Sequence, residues 1–491
     1  MHKNDIQQIN FKIVFRVIGM LLCMEAFFMI VPFLVSLWYD ESDAFAFLTT
    51  IGITIVAGVI MIMTTRNHSK HLAKREGFLI VATTWIFFSI FGMLPFIIHG
   101  CIPNVADAFF ETISGFTTTG ATVLTDIDSL PHGILFWRCF TQWLGGMGII
   151  LFTLAILPML NSGGGIQLFN AETTGITHNK LRPRIGQTAK RLWGMYVAIT
   201  TVLVICLVLG PMDLFDAICH AMSTTATGGY STKQASIAYW NSAYIDYVII
   251  FFMYISGINF SIVYFAVAKG DYKSLFKDEE VRWYTYVLIL ATIAIAAGLF
   301  MSGQIQGSAE GTIRSSLFQV VTNITTTGFT TANFNDWGPF YAVILFLVMF
   351  FGACAGSTSG GAKTIRLVVL IKNTVNELYR HIHPNAVVPV RVNNKVISYE
   401  LVSKILAFIF VYLLVFVISS VLLSAMGLTF EEAFGCTLSC LSNIGPGFGR
   451  MGSDFALIPD AGIWLLSFVM LVGRLELFTI LIIFTPYFWK K

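Results

Sequence analysis

Residues Ala106–Gly120 read ADAFFETISGFTTTG: a polar opening, about a dozen mostly apolar residues, then threonines ending on a glycine. That apolar run is too short to cross a bilayer, which takes roughly 20 residues in a helix. Three other stretches share its form. They are Asp213–Gly229 (DLFDAICHAMSTTATGG), Ile313–Gly328 (IRSSLFQVVTNITTTG) and Phe430–Gly447 (FEEAFGCTLSCLSNIGPG). Taken from Gly120 to Gly228, Gly328 and Gly445, the spacing is about 110 residues, and a repeat of that kind sets the architecture before any single motif does. Each unit reads as span, re-entrant helix, glycine turn, span.

The surrounding composition places these units in a membrane. Of 491 residues 56% are apolar and only 12% charged, and the mean hydropathy is +0.76, against roughly 25% charged residues in soluble domains. Too few charges remain to meet a nucleic acid or keep so long a chain in water. Apolar stretches long enough to span lie near 15–38, 45–64, 77–99, 134–160, 192–211, 243–268, 284–302, 339–370, 401–426 and 462–488. The expected fold is therefore an all-α membrane protein of ten spans, with two N-terminal transmembrane helices (1–70) ahead of pore repeats at 71–165, 180–270, 280–380 and 395–491. Nearly all of the 30 lysines and arginines fall on one side of this weave, which by the positive-inside rule makes both termini cytoplasmic. Arg138, Lys233, Arg314 and Arg450 fall on the other side, and Arg474 sits inside the last span.

Non-helical backbone at membrane depth survives only when buried in protein or lining a water-filled cavity, and four such turns can meet at one pseudo-fourfold axis. A pore follows. Each short helix would aim its partially negative C-terminal carbonyls at the axis, which favours a cation. The turns TTTG, TATG, TTTG and SNIG would offer backbone carbonyls in place of the ion's lost water. Glycine suits a tight lining that side chains would strain. Potassium is the expected ion, because neutral carbonyls replace its hydration shell more easily than that of sodium and no turn carries a carboxylate ring.

Seven segments carry a family resemblance: FTTTGAT (Phe116–Thr122), QWLGGMGI (Gln142–Ile149), ATGGYST (Ala226–Thr232), TTTGFTT (Thr325–Thr331), GACAGSTSGGAK (Gly352–Lys363), HPNAV (His383–Val387) and NIGPGFG (Asn443–Gly449). The chain resembles, essentially end to end, the membrane subunit of the Trk/Ktr/HKT superfamily of potassium transporters, in its bacterial TrkH-type branch. The resemblance implies potassium uptake across the bacterial inner membrane by a lipid-embedded homodimer with one pore per subunit, regulated by a cytosolic nucleotide-binding subunit of the TrkA type. It also implies filter contacts from Thr118, Thr119 and Gly120, from Ala226, Thr227 and Gly228, from Thr326, Thr327 and Gly328, and from Asn443, Ile444 and Gly445. Relatives that admit sodium tend to have serine at the first filter glycine, so glycine at all four places implies preference for potassium. The chain departs from the branch at GRLELFT (Gly473–Thr479), where many members carry two more residues between arginine and glutamate.

The run Gly352–Gly361 interrupts an apolar stretch on the inner side of the third repeat. Gly356, Ser357, Thr358, Ser359, Gly360, Gly361 and Lys363 are expected to form a gating loop below the filter, or else a kink where helices pack closely. Arg474 is an intramembrane charge, a functional candidate by default. It would face the pore beside that loop, or pair with Glu476 or with a carboxylate at a pore-helix start. Asp107, Asp216 and Glu432 precede their filter glycines at matching distances and read as helix N-terminal residues. Gly356–Thr364 is not a phosphate-binding loop, since Ala362 separates the second glycine from the lysine. The eight cysteines show no CxxC pair, so neither a disulfide framework nor a zinc site is indicated. Two other classes remain to weigh: an ion-coupled secondary transporter, using protons or sodium with potassium or an organic solute, which usually shows inverted pairs of broken helices; and a membrane enzyme, for which no HExxH or GxSxG motif is present.

Overall fold

The computed structural model describes residues 9–66, 74–148, 185–304 and 307–490. Helices dominate. The strands among the described residues are the two-residue pair Arg391–Val392 and Lys395–Val396, antiparallel, joined by Asn393 and Asn394 at φ +50° and +61°, the left-handed pair that a two-residue hairpin requires.

The N-terminal helices are α1 (Phe11–Phe28), α2 (Ile30–Tyr39) and α3 (Ala44–Thr64). Glycine lets α1 and α3 approach closely: a Cβ on Gly19 would lie 2.7 Å from the Gly58 carbonyl, and one on Gly58 would lie 2.8 Å from that of Gly19, the small-residue contact by which membrane helices associate.

Four units follow. The first comprises α4 (Lys74–Gly92), α5 (Leu94–His99), the short helix α6 (Val105–Phe116) and α7 (His132–Gly146). The second comprises α8 (Ile185–Val208), the short helix α9 (Leu214–Ala226), α10 (Ala243–Ser256) and α11 (Phe260–Lys269), with α12 (Tyr272–Lys277) leading onward. The third comprises α13 (Glu279–Met301), the short helix α14 (Ala309–Ile324), α15 (Pro339–Phe351) and α16 (Thr364–Ile382). The fourth comprises α17 (Tyr399–Ala425), the short helix α18 (Phe430–Ser442), α19 (Asp460–Arg474) and the turns α20 (Phe478–Leu481) and α21 (Pro486–Trp489).

Each unit's inner helix stops after a similar length, with α7, α10, α15 and α19 running 15, 14, 13 and 15 residues. The causes are local. Gly257 caps α10 before a 105° bend into α11. Gly352 leaves α15 at φ +62°. Glu476 and Leu477, at φ +55° and +48°, end α19 before a 110° bend. Among the described residues six helices are long and apolar enough to span, or eight with each bent pair taken as one span. The two remaining apolar stretches do not count as single spans for identifiable reasons: the one near 134–160 leaves the described residues after Gly148, and the one near 339–370 is opened at Gly352.

Candidate functional site

The four short helices are capped at their starts by short polar side chains. Asn104 accepts from Ala106 N, Asp213 from Asp216 N, Ser308 from Gly311 N and Thr429 from Glu432 N, the last in a reciprocal capping box. Each such cap is worth about 1 kcal/mol. Glu432 is thus part of the cap, as its place in the sequence suggested. Asp107 and Asp216 lie one residue or more inside their helices, and Asp216 accepts from Thr232 Oγ1 at 2.6 Å.

At the other ends the backbone repeats itself four times. Thr118, Thr227, Thr326 and Asn443 adopt φ +54°, +55°, +56° and +55°. The next residue in each turn donates its N–H to the carbonyl five residues earlier: Thr119 to Ser114 at 2.8 Å, Gly228 to Ser223 at 2.9 Å, Thr327 to Thr322 at 2.8 Å and Ile444 to Ser439 at 2.9 Å. The third residue is Gly120, Gly229, Gly328 or Gly445, at φ +83°, +82°, +86° and +111°.

This corrects the register expected for the second unit. Its equivalents of Thr118, Thr119 and Gly120 are Thr227, Gly228 and Gly229, not Ala226, Thr227 and Gly228. Ala226 is the last helical residue of α9, and the left-handed step falls one residue later than the TATG pattern suggested.

The four glycines close a ring. A Cβ on Gly120 would stand 2.1 Å from the Gly228 carbonyl oxygen, one on Gly229 2.0 Å from that of Thr327, one on Gly328 1.9 Å from that of Ile444, and one on Gly445 2.7 Å from that of Thr119. Each unit therefore presses its glycine against the next unit's turn, in cyclic order. The same four glycines line a cavity of about 400 Å³, together with residues that follow them in sequence, among them Thr122, Ser231, Thr330 and Pro446.

Behind the ring the braces differ from unit to unit. Arg138 and Glu111 form a fully buried ion pair at 2.8 Å. Arg138 also donates to Ser231 O at 3.2 Å and Thr122 Oγ1 at 3.3 Å, and lies 4.3 Å from the Tyr230 ring centre. Tyr230 donates its hydroxyl to Glu111 O at 2.7 Å. Gln142 donates from Nε2 to Gly228 O at 2.7 Å and accepts from Ser223 Oγ at 2.7 Å and Tyr230 N at 3.1 Å. Asn443 donates to Thr119 Oγ1 at 2.9 Å, joining the fourth turn to the first. None of Glu111, Arg138 or Tyr230 stands out as a site residue in the sequence, where Arg138 falls with Lys233, Arg314 and Arg450 on the outer side of the weave. Its position inside an apolar stretch, Ile134–Phe140, was the available sign.

The Gly352–Lys363 loop touches the opposite face of the ring, because its partners precede the glycines in sequence. Gly360 N donates to Thr326 Oγ1 at 2.7 Å, and Thr358 Oγ1 donates to Thr225 O at 3.2 Å. A Cβ on Gly360 would stand 2.2 Å from Ser442 O and 2.9 Å from Asn443 Cβ. The loop is itself well fastened. Gly356 O accepts from Phe260 N at 3.1 Å, Ala355 N donates to Glu280 Oε1 at 2.7 Å, Ser357 Oγ pairs with Ser359 Oγ at 2.8 Å, and Lys363 Nζ donates to Ser359 O. Gly361 lies at φ +73° and Lys363 at φ +67°.

Arg474 reaches this loop. It donates to Thr358 O at 2.8 Å and to Gly145 O at 2.7 Å, so it ties the third unit's loop to the end of the first unit's inner helix. Glu476, named in the sequence as an ion-pair candidate for Arg474, pairs with Arg366 of α16.

A model of the TrkH family, described as a cation transport protein, matches residues 43–491. The chain belongs to the TrkH family. Among curated members, the Trk system potassium uptake protein TrkH of Salmonella typhimurium is 41% identical over 98% of this chain and 100% of its own length. The Trk system potassium uptake protein TrkG of Escherichia coli is 33% identical over 98% of this chain and 99% of its own. The crystal structure of the potassium transporter TrkH from Vibrio parahaemolyticus superposes with a TM-score of 0.89 at 38% identity, covering 98% of this chain and 100% of that one. The fold is predominantly helical, with several helices long and apolar enough to cross a membrane, and the chain is a transport protein by family.

Proposed function

We propose that this chain takes up potassium across the bacterial inner membrane, with the ring of Gly120, Gly229, Gly328 and Gly445 as its selectivity filter and the Gly352–Lys363 loop with Arg474 as its gate. The observation that carries this reading is the cyclic closure of the four turns, with a cavity on one face and the loop on the other. Thr118, Thr119, Thr227, Gly228, Thr326, Thr327, Asn443 and Ile444 complete the filter turns. Potassium is cargo, held while backbone carbonyls stand in for its water. The C-terminal ends of α6, α9, α14 and α18 add partial negative charge at the ring. The four repeats near 71–165, 180–270, 280–380 and 395–491 each supply one quarter of this pathway, after the N-terminal pair near 1–70.

Inward movement needs no chemistry, since the membrane potential supplies about 2.3 kcal/mol per charge per 100 mV. The lysine and arginine distribution supports cytoplasmic termini. The relatives are named as parts of a Trk system for potassium uptake, and the resemblance to that family's sequence motifs implies a homodimer regulated by a cytosolic nucleotide-binding subunit of the TrkA type. The test is cation flux into liposomes holding the purified chain. Potassium and rubidium should move well ahead of sodium, and Gly120→Ser, which drives a side chain into the Gly228 carbonyl, should narrow the gap. Failure of any cation to move, with the chain alone or with a nucleotide-binding partner, would overturn the reading.

A further inference from the structure

One carboxyl group in the membrane plays no part in the pathway above. Glu25 lies on α1, about 22 Å along the helix from its Asn10 cap at 1.5 Å per residue. It is 0% exposed, and among the described residues neither carboxyl oxygen has a hydrogen-bond partner. Its surroundings are specific: a Cβ on Gly92 would stand 3.1 Å from Glu25 Oε1, 2.9 Å from the Thr112 methyl and 3.0 Å from the Phe116 ring edge. The carboxyl therefore occupies the notch left by Gly92, closed by carbon atoms of the first pore helix. Both helices that flank the notch break at this level, α1 into α2 at Met29 and α4 into α5 at Met93. Pro32 and Pro95 each withhold the N–H that a continuous helix would give to the carbonyl four residues earlier.

Among the described residues no hydrogen bond reaches the carboxyl. The charged and titratable groups on the packed elements are placed elsewhere: on α4 Glu76 accepts from Asn10 N at 3.1 Å near the start of α1 and Arg75 donates to Lys490 O at 3.0 Å, Asp107 lies in the first turn of α6, Glu111 of α6 and Arg138 of α7 hold each other, His132 of α7 pairs with Glu41 at 2.8 Å, and His99 of α5 turns to Ser42 at 3.4 Å. On α1 itself Arg16 is more than two turns away. An ionised carboxylate without donor or counter-cation in such a place is far costlier than the neutral acid. A metal cation would find one carboxyl among carbon atoms, not the several oxygens it requires.

We propose that Glu25 is a proton-binding site within the membrane. In this conformation the neutral acid fills the notch against Thr112 and Phe116. Loss of its proton would loosen α1–α2 and α4–α5 from the first pore helix, so cation transport would depend on its occupancy. The transport part of this inference rests on the ring being the ion pathway.

The experiment pairs infrared spectra of the full-length chain in lipid with rubidium uptake over a pH series, for wild type and Glu25→Gln. A protonated-carboxyl band should be present in wild type and missing in Glu25→Gln. Across the pH range where that band disappears, uptake should change in wild type and stay level in Glu25→Gln. Identical spectra, or identical pH profiles, would overturn the proposal. Gly92→Ala keeps the carboxyl but crowds it, and should shift the pH at which the band is lost; an unmoved band would count against the site, even if Glu25→Gln failed to fold. If no chain moved any cation, the filter reading would fail while the band still reported on Glu25.

Discussion

Two adjacent glycines in the second turn separate two readings of the site. Gly229 is at φ +82°, with the Thr327 carbonyl 2.0 Å from where its Cβ would be. Gly228 has no left-handed φ, and a Cβ there would meet the Gln142 side chain at 2.4 Å. Gly229→Ala must therefore distort the backbone ring itself, whereas Gly228→Ala can displace a side chain. We expect Gly229→Ala to abolish selective rubidium uptake and Gly228→Ala to reduce it less, with the reverse order refuting the corrected register. The sequence pattern alone could not separate them, because TATGG offers two glycines and a filter motif fixes only one. Counting from the cap residues would have done so, since Asn104 to Gly120, Asp213 to Gly229 and Thr429 to Gly445 span the same interval. On the cavity side of the ring, Arg450 and then the Thr429 cap hold the Glu432 carboxyl down to about 2 from its ordinary 4.5. A depressed carboxylate stabilises the fold above its unfolded value and stops doing so as pH falls through the folded one. The thermal stability gap between wild type and Glu432→Gln should accordingly be constant near neutrality and close as pH drops from about 4 towards 2.

The broken helices were partly legible. The glycine-rich run from Gly352 marked the end of α15, whereas the stretch near 243–268 read as one span and its break at Gly257 did not show, because a lone glycine in an apolar helix is tolerated. The end of α19 was not legible, because Glu476 and Leu477 are ordinary residues forced to φ +55° and +48°. What holds them is tertiary: Glu476 pairs with Arg366, whose guanidinium stacks 4.0 Å from the Phe408 ring centre. The loop at Gly352–Lys363 has a similar dependence on its neighbours, and Arg474 is the link that reaches across from α19. Arg474→Ala removes the donors to Thr358 O and Gly145 O, neither of which belongs to the four ring turns. We expect this variant to raise potassium flux through the isolated chain with its preference over sodium retained. Loss of flux, or loss of preference, would show that Arg474 supports the filter and not the gate.

Viewed entire, the molecule is a ring of four similar units joined by four dissimilar seams. The fourth meets the first through Asn443 and Thr119, and through Phe455 N to Thr122 O at 2.8 Å. The second meets the third through Ala238 N to Thr330 O at 3.3 Å. The third meets the fourth through aromatic contact, Phe334 to Phe448 at 5.4 Å. Ion pairs also cross two of these seams, Arg314 to Asp246 between third and second and Arg366 to Glu476 between third and fourth, with partners that keep some exposure; at the first–second seam the pair is fully buried, with Arg138 holding Glu111 of its own unit and Ser231 of the next. The fourfold pattern was plain in the sequence because it resides in local turn and helix chemistry; the seams were not, because each depends on residues far apart in the chain. Removing one partner of a buried pair typically costs about 3–5 kcal/mol, since the other charge is left without compensation, whereas replacing both with apolar residues of like volume can be near neutral. Arg138→Met should thus lower the thermal unfolding temperature of the purified chain sharply, and Glu111→Leu with Arg138→Met should recover much of that loss. Recovered stability with unrecovered potassium preference would mean that the pair's second hydrogen bonds, to Ser231 and Thr122, set the ring's geometry. Recovery of both would mean that packing alone suffices at this seam.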